Sequence, residues 1–149
     1  MFFDEFITKE ITNLTSDDST QSMFMLHRYL LCSYAICTYI LRGEKDSSLI
    51  KDAKSCLDNL KVAVAYLDNL LEDSVSDSKK EQTKLKNAFD ETWSYVAKEV
   101  ENYVNSNFIT RKGIVKQLKL ANFYACQVIR AILVVEERDD YKNLTNLKN

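Results

Sequence analysis

The sequence predicts an all-α fold: a compact antiparallel bundle of about five helices, one domain over residues 1–149, with a buried central helix at residues 23–41. Three observations carry this expectation. The chain holds two glycines and no proline, whereas hairpins, tight turns and doubly wound folds rely on those residues as punctuation. Apolar residues recur at helical rather than alternating spacing along most of the chain. Finally, Met23 to Leu41 is apolar or aromatic at fifteen of nineteen positions, with Arg28 its one strong charge. A helix with no polar face must be covered by protein, lipid or ligand.

The elements follow in order. Helix one is expected over Phe2 to Leu14, with Phe3, Ile7, Ile11 and Leu14 on one stripe. Thr15 to Ser19 interrupts it and offers N-caps for helix two, which ends at Leu41 with Gly43 as a left-handed stop. Helix three, Asp46 to Asp73, has the clearest pattern: Ile50, Ala53, Leu57, Leu60, Val64, Leu67 and Leu71 step by three and four, and Leu49, Cys56, Ala63 and Leu70 widen the seam. That breadth suits a helix inside a bundle. After a break at Ser74 to Ser78, with Asp77 and Ser78 as caps, helix four runs from Lys79 to Asn105. Its expected inward residues are Leu85, Phe89, Trp93, Val96, Val100 and Tyr103. Thr110 is the expected cap of helix five, Arg111 to Tyr141, which faces inward through Ile114, Leu118, Ala121, Ala125, Val128, Ile132 and Val135; Asn143 to Asn149 is expected to fray. Short connections favour sequential antiparallel neighbours. They would bring the lysine-rich start of helix four near Glu136, Glu137, Asp139 and Asp140.

Composition narrows the function classes. A chain of this length buries enough surface for a self-sufficient core. A net charge of −2 and a pI near 5.5 provide no basic field, which argues against nucleic acid as a partner. The basic groups Lys79, Lys80, Lys84 and Lys86, and Arg111, Lys112, Lys116 and Lys119, read as solvated helix starts. Cys32, Cys37, Cys56 and Cys126 show no metal-finger spacing and lie in apolar surroundings. They read as reduced and structural, with pairing of Cys126 left open, and point to a reducing, cytoplasmic location. The N-terminus lacks the basic region of a secretory signal. Tyr29 to Leu41 is uncharged over about 20 Å, short of the roughly 30 Å of a hydrocarbon core, so no membrane span is expected.

Catalytic chemistry has little to draw on. His27 is the one histidine, too few for a di-iron or His-rich zinc site, and it lies five residues from Cys32, on another face. It is expected to be a partly buried imidazole bonded to a backbone group. The carboxylate pairs Asp68 with Glu72 and Glu136 with Asp140 complete no magnesium motif, and there is neither a phosphate-cradling loop nor a nucleophile elbow. The chain is therefore expected to be no enzyme and to hold no cofactor or metal. Three features carry binding potential. Arg111, Lys112 and Gly113 at the start of helix five suit an anion. Trp93 is expected in the core, with a partner-binding anchor as the alternative. Met23, Phe24, Met25, Tyr34, Phe123 and Tyr124 are the candidate lining of a site for a lipid-like ligand. The buried central helix wrapped by amphipathic ones is similar to the Bcl-2 and haem-free globin arrangements, a likeness of architecture carried by no motif. The expected function is a non-catalytic helical protein-interaction or regulatory module of inhibitor, adaptor or immunity type, with a homodimer among its forms. The alternative is a sensor of a hydrophobic molecule such as a fatty acid.

Overall fold

The computed structural model describes the backbone over residues 4–14, 20–73 and 79–148, and the side chains over 9–14, 21–73, 79–134 and 136. The described residues form five α-helices and no strand: α1 (Asp4–Asn13), α2 (Thr20–Gly43), α3 (Ser47–Asp73), α4 (Lys79–Val104) and α5 (Phe108–Lys148). The all-α bundle and the central helix are as the sequence predicts. From Leu26 to Ser33 every α2 side chain except Arg28 is buried, two full turns with no solvent-facing stripe. The hydroxyls within this apolar helix turn back on its own carbonyls: Ser33 Oγ donates to the Tyr29 oxygen (3.1 Å) and Thr38 Oγ1 to that of Tyr34 (3.0 Å), the usual resolution for a polar group in such a place.

The core is built chiefly from α2, α3 and α5. Leu30, Ile36 and Ile40 of α2 meet Leu60, Ala63 and Leu67 of α3, and Leu118, Ala125 and Ile132 of α5, all with at most 1% exposure. The small residues Ala53, Ala63, Ala121 and Ala125, all fully buried, let the helix axes approach closely. α3 packs extensively against both α2 and α5, α4 rests mainly on α2, and α1 lies against α2 and α5 with Ile11 buried and Leu14 just beyond its end.

Pairwise contacts give the helix directions. His27 of α2 meets Asp68 of α3, whereas Glu44 lies beside the start of α3, so α2 and α3 are antiparallel. Phe24 with Phe89, then Tyr39 with Tyr103, advance together along α2 and α4, which are therefore parallel. Asp52 with Lys119 (3.3 Å) and Asn59 with Asn122 (3.0 Å) make α3 and α5 parallel as well. Successive long helices thus alternate in direction, as expected, but α4 packs on α2 rather than on the helices before and after it in sequence. α2 needs cover on more sides than α3 and α5 supply, and α4 provides it. The α4–α5 edge of the bundle is left with little direct contact.

Several boundaries differ from the sequence reading. Gly43 does not take a left-handed conformation. α2 runs through it, the Glu44 amide still donating to Ile40 (3.0 Å), and the chain turns on Glu44 instead. α3 begins one residue later than expected because Asp46 is its cap, Oδ1 accepting from the amides of Ser48 (3.0 Å) and Leu49 (3.1 Å). α5 begins at Phe108, not Arg111. Asn107 displaces Thr110 as the cap, its Oδ1 accepting from the Thr110 amide (2.8 Å). The helix also continues to Lys148, because beyond Gly113 no glycine or proline stands in its way. Its 41 residues span about 60 Å. The expected caps in 15–19 and 74–78, Phe3 and Ile7, and the acidic groups Glu137, Asp139 and Asp140 lie outside the described side chains.

Leu60 stands at the centre of α3 with no exposure. Leu60→Ala is expected to reduce stability by about 3 kcal/mol in urea titrations followed by circular dichroism. Hydrogen exchange is expected to release α4 amides before those of α2 and α3, because α4 is buried along one narrow face.

Candidate functional site

Two polar clusters tie the bundle at opposite ends. At one end, His27 of α2 is 4% exposed, its Nε2 is 2.5 Å from Asp68 Oδ1 of α3, and its ring lies 5.2 Å from that of Phe89 of α4. The imidazole partner is thus a carboxylate, not the backbone group expected; Asp68 projects from α3 where the side chain one helix away needs an acceptor. Arg28, the charge in the apolar helix, leaves the core toward α4, with its guanidinium 5.6 Å from the Tyr95 ring centroid and 3.9 Å from Glu91.

At the other end, Glu44 gathers three elements. Its Oε2 accepts from the Tyr103 hydroxyl of α4 (2.8 Å) and lies 3.2 Å from Arg111 Nε of α5; its Oε1 accepts from the Lys45 and Asp46 amides. Arg111 also donates to the Ser106 carbonyl (2.8 Å). Burial alone would raise the Glu44 carboxyl; the Tyr103 hydroxyl, the two amides and Arg111 outweigh it and hold the group below the ordinary carboxylate range. Burial and the bond to Glu44 push Tyr103 well above the usual phenol value. The cluster joins helix ends and is built for cohesion.

The four cysteines are free; Cys32, Cys37 and Cys56 are buried, and Cys126 is half-buried. Burial pushes Cys32 and Cys37 up to about 12 and raises Cys56 as well, which leaves almost no thiolate, the nucleophilic form, near neutrality. Among the described residues no three His, Cys, Asp or Glu side chains gather as a metal site.

The candidate binding residues fall in separate places. Phe24 and Met25 line a cleft of about 370 Å³ between the first halves of α2 and α4, with Arg28, Lys84 and Glu81 at its rim. Lys84 there pairs with Glu81 (3.8 Å). Met23 packs against the core. Phe123 is 54% exposed, and Tyr124 is buried with its ring edge-on to both Phe123 and Tyr29. Tyr34 belongs to another groove. Among the described residues, Phe24 and Met25 thus line one cleft and Tyr34 another. Of the anion candidates, Arg111 turns inward to Glu44, while Lys112 and Gly113 are exposed. With α5 starting at Phe108, these three stand past the residues whose amides open the helix.

Trp93 is the main departure from the expected core. Thr92 takes the inward position at 3% exposure, and Trp93, rotated out by one residue, is 57% exposed. The inward series of α4 is Leu85, Thr92, Val96 and Tyr103; a buried threonine in that series is the one place where an apolar-only pattern fails. Trp93 forms one wall of an open groove of about 310 Å³ whose other residues, Leu31, Tyr34, Ala35, Thr38, Tyr39 and Arg42, all come from α2. Arg42, at one end of it, has no ion-pair partner among the described residues. The helix that contributes this groove, Gln21–Gly43, is long and apolar enough to cross a membrane by length and composition, and half of its apolar window is buried inside the bundle.

Comparisons of the chain with protein-family models, with curated proteins and with solved structures found no match.

Because the folded state favours ionised Glu44, its contribution is complete above the unfolded carboxylate value and is lost as pH falls through the lower folded one. Stability is therefore expected to decline from about pH 5 downward, and Glu44→Gln, less stable at neutrality by about 2 kcal/mol, is expected to show a flatter acid limb in thermal melts. With an aromatic disulfide reagent at pH 8, one thiol per native chain, Cys126, is expected to react promptly; the other three should wait for unfolding, and Cys126→Ser should abolish the prompt phase.

Proposed function

We propose that this chain is a non-catalytic helical interaction module that binds a partner helix on its α2–α4 face. One observation carries the reading: a tryptophan more than half exposed, standing over an apolar groove on the half-buried central helix. Tryptophan is the residue most enriched at energetic centres of protein interfaces, where it fills a partner's pocket and is ringed by less important contacts. Here Trp93, Tyr34 and Tyr39 supply rigid aromatic surface, and Leu31 and Ala35 the floor. Leu31, Ala35, Thr38 and Arg42 repeat at three- and four-residue spacing over about 17 Å, which matches the length of a docked helix of three turns. Arg42, without an ion-pair partner among the described residues, stands at the end of this stripe and calls for a carboxylate. The partner is accordingly an amphipathic helix with an apolar stripe and an acidic residue at one end, received in the helix-in-groove manner.

A second reading, a sensor of a hydrophobic acid such as a fatty acid, is favoured by the cleft at Phe24 and Met25, where Arg28 and Lys84 stand beside apolar walls. Native mass spectrometry tests this second reading, since a retained ligand adds its mass to the chain.

The test of the interaction reading is capture from the source cell with the wild-type chain, purification of the captured protein and titration of the pair. Trp93→Ala is expected to keep its melting temperature and to bind about 30-fold more weakly, the equivalent of ~2 kcal/mol. Arg42→Glu should weaken binding in the same direction. Failure to recover a partner, or equal binding by Trp93→Ala, removes the reading. A Trp93-dependent dimer in sedimentation would instead identify a second copy as the occupant.

A further inference from the structure

The two glycines differ in their surroundings: one has a tyrosine ring at contact distance and the other has nothing near it. A Cβ at Gly43 would lie 3.4 Å from the Tyr39 ring, which passes directly over it. At Gly113, in the second turn of α5 and in ordinary helical conformation, a Cβ would meet nothing within 4 Å. Glycine is the least favourable helix residue after proline, and here the fold itself makes no use of the missing side chain. Gly113 lines a cleft of about 390 Å³ along the open α4–α5 edge, together with Glu99 and Asn102 of α4 and Thr110, Ile114 and Gln117 of α5; Ile36 of α2, 1% exposed, closes the bottom. Glu99 has neither ion-pair nor hydrogen-bond partner among the described residues. The cleft therefore combines one carboxylate without a direct partner among the described residues, two carboxamides and a hydroxyl over an isoleucine floor.

We propose that this cleft binds a small organic amine. An ammonium group has three donors and no acceptor; the Glu99 carboxylate supplies the countercharge, Asn102 and Gln117 are lining residues able to accept a hydrogen bond, and the apolar body lies along Gly113 on Ile36 and Ile114. An anion is disfavoured by Glu99. The volume is near the lower end of small-molecule sites, which sets the ligand at about ten heavy atoms. This site is separate from the Trp93 face and stands or falls independently of it.

Phenethylamine is a suitable probe, with 2-phenylethanol as its uncharged counterpart. In ¹⁵N–¹H correlation spectra Gly113 is one of only two glycine signals. Phenethylamine is expected to shift the Gly113, Ile114 and Gln117 amides saturably, with Kd of about 1 mM or tighter. The alcohol should bind at least about fivefold more weakly. Glu99→Gln should lose the same factor toward the amine with its spectrum otherwise preserved. Gly113→Leu, a good helix former that fills the opening, should abolish the shifts at Ile114 and Gln117 while melting about 3 °C higher. Absence of a saturable shift at Gly113, equal binding of the alcohol, or an unaltered affinity in Glu99→Gln overturns the proposal.

Discussion

Helix α2 has buried side chains at every azimuth between Leu26 and Ser33 apart from Arg28, and such a helix is stable in water only when other helices surround it. The remaining elements can be understood as answers to that requirement. α3, the most regularly patterned helix, covers one side and α5 packs behind it. α4 crosses back to lie parallel to α2 instead of pairing with its sequence neighbours, and α1 is laid across α2 and α5. Even so the cover is incomplete along Ala35, Thr38 and Arg42, where the groove beside Trp93 remains. The same shortage of helices leaves α4 and α5 apart along their shared edge. Both candidate binding surfaces therefore arise where four neighbours could not close around one apolar core.

Much of this was readable from residue order. The three- and four-residue steps of α3 reproduce its buried face almost residue by residue, because a helix packed on two sides must display its contacts as periodic apolar positions. The absence of proline and scarcity of glycine gave the class, and the serine and threonine of α2 satisfy themselves on their own carbonyls as their positions implied. What the order of residues did not contain was lateral placement. Local periodicity says how a helix is rotated, but not which neighbour it faces, and the preference for adjacent antiparallel partners was outweighed by the need to cover α2.

The candidate sites were legible only in part. Trp93 and Thr92 differ by one position and about 100° around α4; counting apolarity put the tryptophan inside, whereas the inward angle belongs to the smaller threonine. Arg111 was visible as a basic residue at a helix start, but its partner Glu44 stands 67 positions away and could be found only in three dimensions. His27 and Asp68 present the same difficulty, since neither residue signals the other. The α4–α5 cleft had one trace in the sequence, a glycine in the midst of strong helix formers, and that trace gained meaning only once its empty surroundings were known.

The Glu44 cluster also bears on how the bundle comes apart. It joins the loop after α2 to Tyr103 and Arg111, contacts that cross from the α2–α3 hairpin to helices far along the chain. The α2–α3 pairing, by contrast, closes a loop of only a few residues. In a chain that assembles from near contacts to distant ones, the hairpin of α2 and α3 forms ahead of the bonds that reach α4 and α5, the Glu44 clasp among them. Interactions absent from the transition state govern the rate of escape from the native state rather than the rate of reaching it. The clasp then acts as a kinetic latch: it lengthens the lifetime of the folded bundle, and α4, fastened through Tyr103 at that end, is the helix whose release it delays.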